Sequence, residues 1–186
     1  IITHYPIIVL LMESKFNYKN FSIVIPIYNE EEIIEESTNA IFAICKRTEI
    51  DFEIIFSENG STDRTKKIAE ELIKKYTEIK IISNPEPNYG NALKAGFGLA
   101  KNDLVISFDI DYYSESFLHE ALILNNNYSA ITASKRLQSS EDGRRFVRRL
   151  ATNFFVILLK TLFGTKLSDT HGMKAVKKEA IKQFVP

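Results

Sequence analysis

Four times along the chain, a short apolar run is followed by a polar turn and then by a stretch with helical periodicity. The apolar runs are Phe21–Pro26 (FSIVIP), Asp51–Ser57 (DFEIIFS), Ile79–Ser83 and Asp103–Phe108 (DLVISF). Each has the length and β-branched content of a buried strand. Glu30–Arg47, Asp63–Tyr76, Asn91–Ala100 and Ser114–Leu124 read as the helices between and after them. In the first helix Ile33, Ile34, Ile41, Phe42 and Cys45 share one side, and the glutamates from Glu30 to Glu36 complement the positive end of the helix dipole. In the second, Ile68, Leu72 and Ile73 point inward, with Ser61 or Thr62 as the expected N-cap. Tyr128–Ser134 reads as a further strand and Arg144–Phe163 as a long helix, basic at its start and apolar later. Parallel strands need crossover connections, so this alternation implies an α/β fold: a mostly parallel central sheet flanked by helices on both faces. In such sheets ligands bind beyond the carboxyl ends of the strands. Three polar clusters fall there: Tyr28-Asn29-Glu30, Ser57–Asp63 and Asp109–Asp111.

A chain of 186 residues, 45% hydrophobic and 26% charged, suits one globular domain with a real core. The single cysteine, Cys45, excludes a disulfide scaffold and any multi-cysteine metal site. No run approaches the roughly 18 apolar residues that cross a bilayer. Ile7–Met12 is far shorter and lacks the basic flank of a signal peptide. Met12 reads as the native start, residues 1–20 as an N-terminal extension and 21–186 as the domain, which is expected to be truncated at its C-terminus. The net charge of zero hides a division. Residues 1–134 carry 12 Lys and Arg against 20 Asp and Glu, and residues 135–186 carry 12 against 4. A basic back half fits a partner bearing phosphates, an anionic membrane surface, or simply a solvated face.

The sharpest chemical signal is Asp109-Ile110-Asp111. Two carboxylates at the end of a buried strand repel one another unless a cation lies between them. Oxygen donors suit Mg2+ or Mn2+, and Mg2+ keeps open positions for substrate phosphates. The plain alternative is a pair of acidic turn residues. In Glu58-Asn59-Gly60-Ser61-Thr62-Asp63 the first two side chains could hold ribose hydroxyls or a base edge, whereas helix capping accounts for the last three. Tyr28 could stack on a base and Glu30 accept from it, or both could belong to an ordinary turn. Lys135, Arg136, Arg144, Arg145, Arg148 and Arg149 offer guanidinium forks to phosphate oxygens, or form a solvated helix face. Ser168–Lys174 reads as a loop, and no second His or Cys near His171 completes a zinc site. A phosphatase of the Asp-x-Asp type wants Thr or Ser where Tyr113 stands.

Taken together, SIVIPIYNEEE, IIFSENGSTDRT, NYGNALKAGF, LVISFDIDY, ITASKR and LSDTHGMKAVKKEA resemble, in order and spacing, the family 2 glycosyltransferases, and among them the dolichyl-phosphate mannose or glucose synthases. The pieces cover roughly residues 21–182. The resemblance implies a GT-A (Rossmann-like) fold and a nucleotide-diphosphate sugar donor. It implies that Pro26, Ile27, Tyr28 and Glu30 line the base and ribose, with Ser57, Glu58 and Asn59 beside them and Lys94 on the donor side. Asp109, Ile110 and Asp111 match the family's D-x-D, in which Asp109 and Asp111 hold the metal and the diphosphate. Lys135 or Arg136 matches a basic residue after the fifth strand. Arg148 or Arg149 matches one that contacts phosphates of donor or lipid acceptor. Asp169 to Lys174 matches a segment on the acceptor side. Three positions depart from the family pattern. Asn59 replaces a carboxylate, Tyr113 stands where a Gln often helps the metal, and Ala133-Ser134-Lys135 replaces G-S-R.

The expectation is therefore a hexosyltransferase at the cytoplasmic face of a membrane, using Mg2+ or Mn2+, with a polyprenyl phosphate as acceptor and no nucleic-acid partner. Asp111, Arg149 and Asp169 are its candidate catalytic groups. The alternatives are a domain that binds a nucleotide sugar without turnover, and a family 2 enzyme acting on a hydroxyl acceptor in cell-surface polysaccharide synthesis.

Overall fold

The computed structural model describes residues 17–124, 129–133 and 172–182. The chain divides into two compact units, residues 14–132 with 173–186, and residues 1–13 with 133–172. The sheet and its helices belong to the first. In chain order they are β1 (Asn20–Ile27), α1 (Ile34–Arg47), β2 (Asp51–Glu58), α2 (Thr65–Lys75), β3 (Ile79–Ser83), α3 (Tyr89–Leu99), β4 (Leu104–Ser107), α4 (Glu115–Leu124), β5 (Ala130–Thr132), β6 (Lys174–Lys177) and the single turn α5 (Lys178–Ile181). The strand order is β3-β2-β1-β4-β6-β5. β1 pairs in parallel with β2 and β4, and β2 with β3. β6 runs antiparallel to both β4 and β5.

β1 and β2 are buried at seven consecutive positions each, which requires cover on both faces. Successive side chains alternate between those faces. On one, Val24, Ile55, Val105 and Val176 cluster with Leu93 and Phe97 of α3. On the other, Phe52 stacks on Phe21 with ring centroids 5.9 Å apart and meets Phe42 of α1 edge-on at 5.3 Å. The α/β architecture expected from the alternation is thus the one observed. Cys45 is buried in α1, and burial pushes its thiol up to about 12, so it is an inert core residue.

Three local expectations are corrected. α1 begins at Ile34, and the glutamates ahead of Ile34 lie in a turn in which the backbone N–H groups of Ile33 and Ile34 donate to the Glu30 carbonyl. Neither Ser61 nor Thr62 caps α2. The N-cap is Arg64, whose side chain makes no capping bond, and Asp63 just before it accepts from the Thr65 N–H through Oδ1 at 2.9 Å. β6 was not expected, because KAVK has too few residues to show a period. Its identity as a strand comes from pairing with β4 and β5 and from Lys178 at its end, whose N–H and ammonium donate to the Asp103 and Ala100 carbonyls.

Gly96 lets α3 lie directly on β1, since a methyl group at that position would overlap Val24 Cγ1. Glycine inside a helix costs about 1 kcal/mol relative to alanine, so close packing is the reason for it here. Gly96→Val is expected to destabilise the domain by about 1–3 kcal/mol through overpacking. Urea unfolding reads this directly, and an unchanged midpoint would show that α3 can move away freely.

Candidate active site

The loops after β1 and β2 are laced together before any ligand arrives. Asn29 adopts the left-handed conformation, with φ of 54°, which asparagine tolerates better than most residues. Its N–H donates to Ser61 Oγ at 3.2 Å, and its Oδ1 accepts from the Thr62 N–H at 2.8 Å. The Glu30 N–H donates to Thr65 Oγ1 at 2.7 Å and the Glu31 N–H to Asp63 Oδ2 at 3.2 Å. Glu31 Oε2 in turn accepts from the backbone and side chain of Arg64. Ser61, Thr62 and Asp63 therefore join two loops. Gly60, with φ of 74°, passes so close to the β3–α3 loop that a Cβ there would lie 3.0 Å from the Pro85 carbonyl.

Because β1 and β4 are sheet neighbours, the tips of both strands meet. The Phe108 N–H donates to the Val24 carbonyl, carrying the pairing one residue past β4. Asp109 and Tyr112 then exchange backbone hydrogen bonds at 3.2 and 3.0 Å. This tight turn buries Ile110 and leaves Asp111 exposed at its tip. The Glu30 carboxyl is held above its usual range by partial burial and by the negative charge of Asp111, Asp63 and Asp109. Among the described residues neither Asp109 nor Asp111 is in an ion pair. Asp109 and Asp111 thus lie near enough to Glu30 for their charges to act on it.

Other candidates divide by burial. Tyr28 is 42% exposed, just after β1. Pro26 and Ile27 are buried in β1 and contribute backbone. Ser57 is fully buried, and its hydroxyl donates to the Ala92 carbonyl of α3 at 2.6 Å, so it packs the sheet against the helix. Glu58 is 2% exposed, with Oε1 accepting from the Ser61 N–H at 2.6 Å. Asn59 Oδ1 accepts from the Asn88 N–H at 2.7 Å, anchoring the start of α3. The amide that departs from the family pattern therefore holds a loop. Lys94 is exposed on α3. Lys135, Arg136, Arg148, Arg149 and Asp169 lie outside the described residues.

The residue that sequence reasoning missed is Tyr89, the first of α3. Its hydroxyl donates to Asp109 Oδ1 at 2.9 Å, and its ring is 49% exposed. Burial, followed by the charge of Asp109, holds the phenol protonated far above its ordinary range. The only sequence signal was an aromatic between Asn88 and Gly90; nothing in its neighbourhood names a partner 20 positions away.

The donor set at Asp109 and Asp111 is hard oxygen, which fits Mg2+ or Mn2+. Among the described residues no three acidic, histidine or cysteine side chains form a complete ligand cage. Two carboxylates with open positions suit a cation that also takes phosphate oxygens. Away from this site, a concavity of about 460 Å³ opens at the amino ends of the strands, between Asn20, Lys46, Glu78 and Lys101, and contains none of the candidate residues. Among the described residues no helix is long and apolar enough to cross a membrane.

A family model described as "Glycosyl transferase family 2" matches residues 22–185. An undecaprenyl-phosphate 4-deoxy-4-formamido-L-arabinose transferase of Proteus mirabilis is 39% identical over 150 residues, covering 80% of this chain and 45% of that protein. The chain spans about half the length of the curated relatives it matches. A mannosyl-3-phosphoglycerate synthase from Rubrobacter xylanophilus superposes with a TM-score of 0.64 at 20% identity, over 87% of this chain and 54% of that one. A mannosyltransferase from Pyrobaculum calidifontis, solved with GDP-Man and Mn2+, gives a TM-score of 0.60 at 18% identity, over 88% and 46%. These likenesses are of fold, and they bear out the GT-A expectation.

Proposed function

The chain belongs to glycosyl transferase family 2, and from that premise we propose that it is the donor-binding and catalytic part of a glycosyltransferase that moves one sugar from a nucleotide diphosphate to a polyprenyl phosphate. The observation that carries this reading is that Asp109 and Asp111, without a cationic partner among the described residues, lie near enough to Glu30 to raise its pKa, with Asp109 also held by the Tyr89 hydroxyl. Similarity to undecaprenyl-phosphate 4-deoxy-4-formamido-L-arabinose transferases favours undecaprenyl phosphate as the acceptor over the dolichyl phosphate that the motifs suggest.

In this reading Tyr28 stacks on the base, while the buried Glu58 and the laced loops shape the ribose end. Asp109 and Asp111 would hold Mg2+ or Mn2+, which would supply positive charge against the departing diphosphate. The acceptor is already an anion, so its phosphate oxygen attacks the anomeric carbon without a general base. The bond to the nucleoside diphosphate breaks, and the leaving group carries away the electron pair. Catalysis is then positioning and charge neutralisation, which fits a site of carboxylates and aromatics. Lys135 or Arg136, with Arg148 or Arg149, hold phosphates of donor or acceptor. Asp169 is the base candidate if the acceptor is a hydroxyl. Such chemistry belongs at the cytoplasmic face of a membrane, where a lipid phosphate and a soluble donor meet.

Thermal unfolding with UDP, GDP and their sugars, with and without Mn2+, tests the donor claim. A ligand at a hundred times its dissociation constant adds about 2.7 kcal/mol, so one nucleotide series is expected to raise the midpoint by several degrees, and more with Mn2+. No shift with either series would overturn the reading. Donor binding with no transfer to undecaprenyl phosphate in micelles would favour the binding-only alternative that Asn59 and Tyr113 raise.

A further inference from the structure

Resting on the reading of Asp109 and Asp111 as cation ligands, we propose that Tyr89 is a positioning residue for that cation, holding Asp109 in one orientation from across the crevice. Asp109 follows β4, whereas Tyr89 follows β3, and β2 and β1 lie between those two strands in the sheet, so the contact bridges two separate loops. Its hydroxyl donates to Asp109 Oδ1 at 2.9 Å, leaving the other carboxylate oxygen without a described donor.

The Tyr89 backbone is itself held. The Asn88 N–H donates to Asn59 Oδ1 at 2.7 Å, and Asn88 Oδ1 accepts from the Asn91 N–H at 3.0 Å, capping α3. Asn59 is 6% exposed, and its own N–H donates to the Ile27 carbonyl of β1. Hydrogen bonds thus tie the end of β1 to Asn59 and Asn59 to Asn88, the peptide bond joins Asn88 to Tyr89, and the Tyr89 hydroxyl reaches Asp109. Groups that hydrogen-bond to a metal ligand fix its orientation, and their loss typically weakens metal binding 10–100-fold. For Asp109 that outer partner is the Tyr89 phenol hydroxyl. Tyr89 therefore sets how tightly the site holds its metal, and through it the donor.

The test is Mn2+ binding by electron paramagnetic resonance on the whole chain, with UDP and with GDP in separate arms, for wild type and Tyr89→Phe. The variant is expected to bind Mn2+ roughly tenfold or more weakly, with its metal-free unfolding midpoint and its affinity for the nucleotide alone unchanged. In turnover, the KM for Mn2+ rises while kcat at saturating Mn2+ stays within about twofold of wild type, a split that a general loss of structure would not produce. Tyr89→Leu, measured in parallel, removes ring and hydroxyl together and is expected to weaken Mn2+ at least as much. Mn2+ affinity within twofold of wild type in a folded variant overturns the role of Tyr89 and leaves the donor reading intact. A wild-type chain that binds no Mn2+ in either arm overturns both.

Discussion

Asp111→Ala is expected to lower sugar transfer by roughly a thousandfold or more while leaving the fold intact. Removing one fixed group that stabilises developing charge costs about 10²–10³ in turnover, and in the proposed site the loss would also take one of two protein ligands from the cation. Stability is not at stake, because Asp111 is exposed at the tip of its turn and has no ionic partner among the described residues. Its charge raises the pKa of Glu30, so its removal relieves repulsion. The midpoint of thermal unfolding without metal is expected to hold or rise slightly. Turnover measured at saturating donor and Mn2+ checks the claim, with Asp111→Asn as the isosteric control. Activity retained in either variant would remove Asp111 from the mechanism.

The second large effect falls at the opposite end of the sheet. Glu53 of β2 is 1% exposed, yet it is charged and fully engaged. Its Oε1 accepts from Ser22 Oγ at 2.7 Å and from the Lys101 N–H at 2.8 Å, and its Oε2 accepts from Lys80 Nζ at 2.8 Å. The network continues to Asn102, whose N–H donates to Ser22 Oγ and whose amide donates to the Phe21 carbonyl. One buried carboxylate thereby ties β1, β2, β3 and the α3–β4 connection together. Glu53→Ala leaves the Ser22 hydroxyl and the Lys101 N–H without their acceptor, and breaking a buried charged network costs about 3–5 kcal/mol. Lys80→Ala is expected to cost about 1 kcal/mol or less, because the lysine is half exposed and solvent screens the pair.

The same site has a definite pH signature. Burial alone would raise the Glu53 pKa; Lys80, the Lys101 N–H and Ser22 together outweigh it and hold the carboxyl below its ordinary value of 4.5. A carboxyl with a lowered folded pKa stabilises the fold above its unfolded pKa, and that contribution disappears as pH falls through the folded value. The stability gap between wild type and Glu53→Ala, read from urea unfolding, is therefore expected to be full at neutral pH and to narrow below about pH 4.5. A gap that stays constant down to pH 3 would show that Glu53 acts through packing and not through its charge.

Local pattern alone determined the α/β class, the four rounds of strand and helix and the edge of the sheet where the polar clusters gather. Strand and helix periods are written in neighbouring residues, and the carboxyl ends of parallel strands share one edge by necessity. The placement of Asp109, Asp111, Tyr28 and Glu30 at that edge was legible for that reason. The tertiary structure decided what each polar side chain does there. Ser57 packs α3, Asn59 anchors Asn88, Ser61 and Thr62 join two loops, and Tyr89 reaches Asp109. Those partners lie 20 to 35 positions apart. β6 likewise exists because β4 and β5 offer it partners, with no period of its own. A hydrogen bond depends on where the chain returns in space, and that is set by the packing of the whole sheet.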